Sequence, residues 1–219
     1  MDRSFALQPN RPKFDRLLAM ATPFVYLASN SPRRRELLGQ VGVAFHVITL
    51  NATDEVDETP YAGEVPAGYV QRVARTKAEA ARDRVRADRL PAHPLLAADT
   101  TVAVGGRILG KPPSADAAAG MLRALSGRTH QVYTAVALAW NGSIETALSA
   151  SNVTMRVLSE TEIAGYVSTG EPMDKAGAYA VQGRAAIFIE RIEGSYSGVM
   201  GLPLFETANL LFGAGLVLL

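Results

Sequence analysis

The sequence predicts an α/β fold in which helices flank a mixed, partly antiparallel sheet. Apolar, strand-like segments alternate with helix-like segments along the chain, a pattern typical of sheets with parallel neighbours. Asn141-Gly142 joins two long strand candidates, 131–140 and 144–157, and this dipeptide favours the tight turn of an antiparallel hairpin. A sheet that contains both kinds of pairing is mixed.

The first half of the chain predicts two strands and two helices. They are strand 24–28, helix 32–41, strand 43–48 and helix 66–89. Ser31 precedes Pro32, and a serine N-cap followed by proline at the first helical position is typical of a helix start. Gly42 fits the residue that ends many helices, and Pro66 begins the long helix. Residues 54–64 are acidic and turn-rich, which predicts a loop.

The second half predicts the remaining strands and three more helices. They are strand 95–98, hairpin 102–109, helix 114–127, strands 131–140 and 144–157, helix 159–168, strand 185–192 and helix 203–211. Gly105-Gly106 supplies the turn of the first hairpin, and Ser159 with Glu162 forms a capping-box pattern at a helix start. The strand that begins at residue 95 is predicted to stop at Asp99.

Length and composition predict one folded unit. The chain has 219 residues, 48% of them hydrophobic, which is enough to bury a core. We predict a single domain over 23–219, with a deep cleft between two lobes, preceded by a loose extension over 1–22. The extension lacks the apolar run of a signal peptide, and no segment reaches the ~20 apolar residues of a membrane helix. A cytoplasmic protein without a membrane partner is expected.

Several function classes are excluded by charge and residue content. The formal net charge is +1, so nothing indicates a surface that binds nucleic acid. Cysteine is absent, which excludes disulfides, thiolate metal ligands and a cysteine nucleophile. The three histidines, at positions 46, 93 and 130, lack the spacing of a helical metal site. A hard, oxygen-bound ion such as Mg²⁺ or Mn²⁺ is the better prediction.

The segment from Ser29 to Arg35 predicts a polyphosphate site. Three arginines fall in the first turn of the predicted helix, where the positive helix dipole disfavours each by ~0.3 to 1 kcal/mol. A bound anion would offset that cost. Free backbone amides, small hydroxyl side chains and guanidinium groups are also the groups that bind phosphate. The alternative, that the arginines only lie on a solvated face, stays open.

Asp99-Thr100 and two lysines are further candidates. An ionised carboxylate at the mouth of an apolar strand needs a metal ion or a cation, which indicates metal binding or general-base catalysis; the alternative, a helix cap or a turn-forming aspartate, stays open. Lys77 projects from the apolar face of the long helix and is either a phosphate ligand or a lysine that reaches past apolar surface to solvent. Lys111 is not part of a P-loop, because Pro112 follows it, but it remains a candidate phosphate contact.

Five motifs, in this order, resemble one known family. They are Ala28-Ser29-Asn30-Ser31-Pro32-Arg33-Arg34, Ala98-Asp99-Thr100, Gly110-Lys111-Pro112, Leu125-Ser126-Gly127 with His130, and Gly201-Leu202-Pro203-Leu204. From residue 24 to about 212 the chain resembles the Maf nucleotide pyrophosphatases, also called septum formation inhibitor proteins. The resemblance implies a Maf/ITPase-like α/β fold with a deep cleft and a requirement for a divalent metal cation. Segment 170–183 is similar to the branch that hydrolyses dTTP and UTP.

The resemblance also implies roles for individual residues. Asp99 matches the catalytic acid, which would act as the proton acceptor. Positions tied to substrate choice are matched by Arg33, Thr100 and Gln182. The polar lining of the cleft is matched by Ser29, Arg34, Glu36, Lys77 and Lys111. Asp57 and Glu58 match the acidic loop, and Asp57 is predicted to join Asp99 as a metal ligand.

The expected function is hydrolysis of dTTP, UTP and modified pyrimidine nucleotides to the monophosphate and pyrophosphate. The alternative is a non-catalytic, nucleotide-binding regulator of cell division. The carboxylates at Asp99 and in the acidic loop favour the enzyme, because a module that only binds needs no catalytic acid. The expected partner is a nucleoside triphosphate, and a homodimer is one expected assembly.

Overall fold

The computed structural model describes residues 24–50 and 56–218, so the predicted extension over 1–22 lies outside the described residues. The strands are β1 (Phe24–Ala28), β2 (Ala44–Val47), β3 (Leu95–Val104), β4 (Arg107–Leu109), β5 (Thr129–Trp140), β6 (Ser143–Met155) and β7 (Ile189–Glu193). The α-helices are α1 (Pro32–Gln40), α2 (Pro66–Ala87), α3 (Ala115–Leu125), α4 (Glu160–Val167), α5 (Tyr196–Met200) and α6 (Leu204–Gly213). Short 3₁₀ helices cover Glu171–Asp174, Ala176–Ala178 and Arg184–Phe188.

The described strands form one seven-stranded sheet in the order β2-β1-β3-β5-β6-β7, with β4 paired to β3 outside that path. β1 runs parallel to β2 and β3, and the other pairings are antiparallel. The predicted α/β class with a mixed sheet is therefore confirmed. The β5–β6 hairpin turns at Asn141 and Gly142, whose φ angles of 47° and 85° are the positive values that this turn requires.

The predicted end of the third strand is wrong, and the difference creates a notch in the sheet. β3 does not stop at Asp99, because β5 pairs with it continuously from Leu95 to Ala103. On its other edge, β1 pairs with β3 only as far as Ala97, and β4 pairs with it only from Val102 onward. Between these two residues, no described strand covers that edge of β3. Asp99 thus lies in the middle of β3, at a position where the strand is paired on one side only.

Alternation along β3 sends neighbouring side chains to opposite faces of the sheet. Leu95 and Ala97 pack in the apolar cluster that includes α2, whereas Leu96 and Ala98 pack in the cluster that includes α1 and α6. A further apolar cluster surrounds α3 and α4 and takes residues from the opposite ends of β3 and β5. The predicted two lobes therefore share β3 and β5, and the notch lies between them.

Several turn and cap predictions are confirmed, and one strand prediction is partly wrong. Ser159 and Glu162 form both hydrogen bonds of the capping box at the start of α4. Strand 185–192 is a strand only from Ile189, because the preceding residues form the 3₁₀ helix Arg184–Phe188. Helix α5 was not predicted. In residues 24–50 and 56–218, no helix combines the length and the apolar character needed to span a membrane.

Candidate active site

The notch opens into a cavity of about 920 Å³. Its wall comes from the end of β1, the start of α1, α2, β3 and the segment between residues 174 and 182. The predicted site residues that line this cavity are Ser29, Arg33, Arg34, Lys77, Asp99, Thr100, Lys111 and Gln182. Residues from distant parts of the sequence therefore share one cleft.

Arg34 is held on one side of the cleft by acceptors from three segments. Its Nε donates to the carbonyl of Gly201 at 2.7 Å, its Nη1 to Ser29 Oγ at 3.2 Å, and its Nη2 to Thr100 Oγ1 at 3.3 Å. Burial lowers the pKa of the Arg34 guanidinium and the nearby Asp99 carboxylate raises it. Arginine stays protonated in proteins. The group is therefore a fixed cation with a fixed orientation.

The start of α1 presents an uncompensated positive end to the same cavity. The Ser31 side chain makes no capping hydrogen bond, and the first turn contains no acidic residue. Ser29 Oγ instead accepts a hydrogen bond from the Ser31 amide at 3.2 Å. Arg33 lines the cavity beside this helix end. The combination of a helix N-terminus with arginine side chains suits a phosphate group.

Lys77 joins two carboxylates on the α2 side of the cleft. Its Nζ lies 2.8 Å from Asp99 Oδ1 and 2.8 Å from Glu58 Oε1. The side chains of Lys77 and Asp99 are 15% and 10% exposed, so this ion pair is shielded from solvent, whereas Glu58 is 51% exposed. Asp99 and Thr100 project from opposite faces of β3, so the acid and the Arg34 cluster approach the notch from opposite sides of the sheet.

The charges around Lys77 are coupled. Partial burial raises the pKa of the Glu58 carboxyl, but Lys77, with Lys111 and Arg34, outweighs that effect and holds the pKa below its ordinary value. Burial, and then the negative charges of Asp99 and Glu58, raise the pKa of the Tyr69 hydroxyl to about 12. Glu58 is therefore ionised at neutral pH, and Tyr69 is a neutral hydrogen-bond donor.

Three charged residues near the site, one arginine and two acids, do not line the cavity. Arg35 and the predicted cleft residue Glu36 are exposed, and neither lines the cavity. Asp57, predicted as a metal ligand, does not line it either; this side chain is exposed, and its Oδ1 accepts a hydrogen bond from the Thr59 amide at 2.8 Å. The neighbouring acid, Glu58, is the one that faces Lys77.

Asp99 and Glu58 are the carboxylates that could hold a divalent metal ion. The described residues contain no cluster of three or more His, Cys, Asp or Glu side chains that would form a complete protein cage. Magnesium is commonly bound by one or two carboxylates together with substrate phosphates. The two carboxylates already flank one cation, the Lys77 ammonium, so their oxygens fit such an ion.

Gln182 lies on the cavity wall in a segment that Glu171 holds. Glu171 Oε1 accepts a hydrogen bond from the Tyr166 hydroxyl at 2.9 Å, and Oε2 accepts one from the Arg184 amide at 3.2 Å. A Cβ at Gly183 would lie 2.1 Å from Glu171 Oε1, so a larger residue there would displace the Glu171 carboxylate. The residue beside Gln182 is thus packed directly against the carboxylate that anchors the segment.

Asp174, Lys175 and Tyr179 are among the cavity-wall residues to which sequence reasoning assigned no role. Asp174 and Lys175 form an ion pair there, and the Lys175 side chain is only 13% exposed. Tyr179 also lines the cavity, and its hydroxyl lies 2.8 Å from Nε2 of the buried His130. Burial lowers the pKa of His130 to about 4, so this histidine is neutral and structural. In the sequence, the adjacent opposite charges of Asp174 and Lys175 were the signal that could have indicated this part of the cavity wall.

The chain is similar to known proteins over most of its length. The family model described as "Maf-like protein" matches residues 24–214. Proteins named dTTP/UTP pyrophosphatase are similar to the chain. The one from Aromatoleum aromaticum is 55% identical over 87% of this chain and 95% of its own. The one from Nitrosomonas europaea is 53% identical over 88% of this chain and 95% of its own. The one from Cupriavidus metallidurans is 55% identical over 89% of this chain and 98% of its own.

A solved structure, that of the Staphylococcus aureus Ham1 protein, aligns with 87% of this chain and 98% of its own at a TM-score of 0.44 and 18% identity. The family model covers most of the chain, and the relatives are more than half identical to it along nearly their whole length. The chain therefore belongs to the Maf family.

Proposed function

We propose that this chain hydrolyses dTTP and UTP, each to its monophosphate and pyrophosphate, with a divalent metal cation as helper. The relatives that are 53% and 55% identical to it are named for that activity. The observation that carries the proposal is the cleft, where the Lys77–Asp99 pair and Arg34 line one cavity. A carboxyl group close to clustered cations suits the hydrolysis of a polyanion.

Arg33, Arg34 and Lys111 are the groups that we assign to the triphosphate. All three line the cavity, and the free amides at the start of α1 lie beside the two arginines. Phosphoryl transfer asks the protein for positioning and charge neutralisation more than for covalent chemistry. Because Ser29, Thr100 and Gly201 already fix Arg34, its guanidinium needs little reorganisation when a phosphate binds.

Asp99 is the group that we assign as proton acceptor. Lys77 holds its Oδ1 at 2.8 Å, which orients the carboxylate, and Oδ2 takes a proton from the attacking water. The water oxygen forms a bond to the α-phosphorus. The bond from that phosphorus to the bridging oxygen breaks, and pyrophosphate leaves with the electron pair. The products are a nucleoside monophosphate and pyrophosphate, so atoms and charge balance.

Asp99 and Glu58 are the residues that would hold the divalent cation, Mg²⁺ or Mn²⁺. When bound, such an ion supplies positive charge to the phosphate oxygens on which negative charge develops. Lys77 lies 2.8 Å from an oxygen of each carboxylate, so it keeps the two side chains together.

Gln182 is the residue that we assign to the base. A carboxamide offers both a donor and an acceptor, which is what the imide edge of uracil or thymine needs. The C5 position of the ring lies away from that edge. Modified nucleotides with the same edge, such as pseudo-UTP and 5-methyl-UTP, are therefore expected to be substrates as well.

Product analysis with a nucleotide panel tests the proposal. We expect pyrophosphate, and no orthophosphate, to be released from UTP and dTTP in the presence of Mg²⁺ or Mn²⁺. The Asp99→Asn variant should bind nucleotide and remain folded, but should lose turnover. Asp116→Asn, which changes an exposed aspartate in the first turn of α3, is the matched control and should keep full activity. Full turnover by Asp99→Asn, or release of orthophosphate by the native protein, would refute the assignment.

A further inference from the structure

Arg72 of α2 makes an unusually complete set of contacts with the acidic loop, defined here as residues 57–64. Its Nε and Nη2 donate to the two carboxylate oxygens of Glu64 at 2.7 and 2.8 Å. Nη2 also donates to the carbonyl of Thr59 at 2.9 Å, and Nη1 donates to the carbonyl of Asp57 at 3.1 Å. The guanidinium lies 3.9 Å from the ring centroid of Tyr61. Each of these partners belongs to the acidic loop.

These contacts are stronger than those of an ordinary surface ion pair. The side chains of Arg72 and Glu64 are 22% and 14% exposed, and the pairing is bidentate, which adds both energy and geometric specificity. The hydrogen bonds from Arg72 lower the pKa of the Glu64 carboxyl to about 2. The pair therefore stays ionised over the whole range in which the protein would work.

The loop that Arg72 holds carries Glu58. The carbonyls on either side of this residue, those of Asp57 and Thr59, accept hydrogen bonds from Arg72. The carbonyl of Glu58 itself accepts one from the Tyr69 hydroxyl at 2.9 Å. Three successive carbonyls are thus fixed to α2, the helix that also carries Lys77. The Glu58 side chain is half exposed, so its position depends on this backbone anchoring.

We propose that Arg72 is a positioning residue that holds Glu58 beside Lys77 and Asp99 without touching the substrate. The inference rests on the proposed function, in which Glu58 helps to hold the metal ion. Arg72 does not line the cavity, so it acts through the loop. Lysine cannot replace it, because a single ammonium cannot pair with both carboxylate oxygens and both carbonyls in this planar arrangement.

The test begins with Arg72→Lys, which keeps the charge and removes the guanidinium. Arg75→Lys is the matched control, because Arg75 lies on the same helix and pairs with Glu79 and the carbonyl of Ile144, outside the loop. Hydrogen exchange, measured without metal or nucleotide, should become faster in residues 57–64 of Arg72→Lys and stay unchanged in α2. Unchanged exchange in the loop would overturn the inference whatever the activity.

The kinetic arm is a double-substitution cycle with Glu58→Gln. We expect Arg72→Lys to lower kcat/KM by about tenfold to a hundredfold, as loss of a ligand-orienting partner does. It should also raise the Mg²⁺ concentration needed for half-maximal rate. In the Glu58→Gln background the same substitution should change kcat/KM by less than about twofold, since its effect is already lost.

The outcomes separate the two proposals. If Arg72→Lys lowers kcat/KM equally in both backgrounds, Arg72 acts elsewhere and the inference is overturned. If Glu58→Gln is fully active, the inference is overturned while the Asp99 mechanism stands. If the native protein releases no pyrophosphate from any triphosphate, the proposed function fails, and the exchange measurement still decides whether Arg72 anchors the loop.

Discussion

Substitution of Gly177 by alanine should destabilise the protein by about 2 to 5 kcal/mol. Gly177 has a φ of 69°, a conformation that costs a residue with a Cβ about 1 to 2 kcal/mol. A Cβ there would also lie 2.8 to 2.9 Å from three atoms of the Val102 side chain on β3. Such overlap in a packed core costs about 1 to 3 kcal/mol. The two costs act together because the glycine both turns the chain and touches the strand.

Gly170→Ala is the matched control for this prediction. Gly170 has a φ of 75°, but no atom lies within 4 Å of a Cβ built there. Both substitutions change the unfolded chain in the same way, so that contribution cancels between them. Gly177→Ala should therefore be less stable than Gly170→Ala by about 1 to 3 kcal/mol, which is the cost of the contact with Val102.

Urea unfolding gives the required free energies, and Trp140 is a convenient probe because it is the single tryptophan of the chain. The Gly177 variant should also lose activity, since the Gly177 amide donates to the carbonyl of Gly110, next to Lys111, at 3.1 Å. Equal unfolding free energies for the two alanine variants would refute the steric part of the reasoning. Equal stability of both variants and the native protein would refute the backbone part as well.

Three further predictions concern the cleft. Arg34→Lys should lower kcat/KM for UTP by roughly tenfold to a hundredfold, because lysine cannot keep the contacts with Ser29, Thr100 and Gly201 while binding phosphate. The rate of pyrophosphate release measures this effect, and native kinetics in the variant would contradict it. Gln182→Glu should raise KM for both UTP and dTTP by about tenfold, because the carboxylate lacks the N–H donor of the carboxamide and repels the imide carbonyls of the base. Steady-state kinetics on a nucleotide panel measure the two KM values, and unchanged values would rule out contact between Gln182 and the base. The buried, neutral His130 has a pKa of about 4, below the ordinary value of 6.5, so it contributes stability that is present above pH 6.5 and lost as the pH falls toward 4. The loss is on the order of 3 kcal/mol. Between pH 7 and 4, the free energy of urea unfolding should fall more steeply for the native protein than for His130→Gln. Parallel pH profiles of the two proteins would contradict a neutral, buried His130.

Local signals were the part of the fold that the sequence could predict. The Asn141-Gly142 turn and the Ser159 capping box depend on dihedral angles and hydrogen bonds within four residues, so sequence alone specifies them. The length of β3 was not predictable in this way. A polar Asp-Thr pair favours a strand end locally, but pairing with β5 carries the strand through it. The 3₁₀ helix Arg184–Phe188 was missed for a similar reason, since its packing against Glu171 is not local.

In the candidate site, too, local features were predictable from the sequence and non-local ones were not. The clustering of Arg33 and Arg34 at a helix start was predictable, because it needs only a strand-to-helix boundary and two adjacent residues. Sequence alone could not predict which of the two adjacent acids, Asp57 or Glu58, faces the cleft. Adjacent residues in a loop point in different directions. The choice between the two acids depends on contacts with Tyr69, Arg72 and Lys77 of α2, which form only when the loop packs against that helix.

A single strand register explains why the Arg34–Thr100 contact and the Lys77–Asp99 ion pair share this cleft. Asp99 and Thr100 are neighbours on β3 and project to opposite faces of the sheet, where a complete sheet would keep them apart. The notch between β1 and β4 removes that barrier, so both side chains line the same cavity. Thr100 accepts from Arg34 and Asp99 pairs with Lys77 only in this register, because a shift of one residue exchanges the two faces. The long pairing of β3 with β5, from Leu95 to Ala103, fixes that register, and the strand that sequence reasoning ended too early is therefore the element that brings the two halves of the site together.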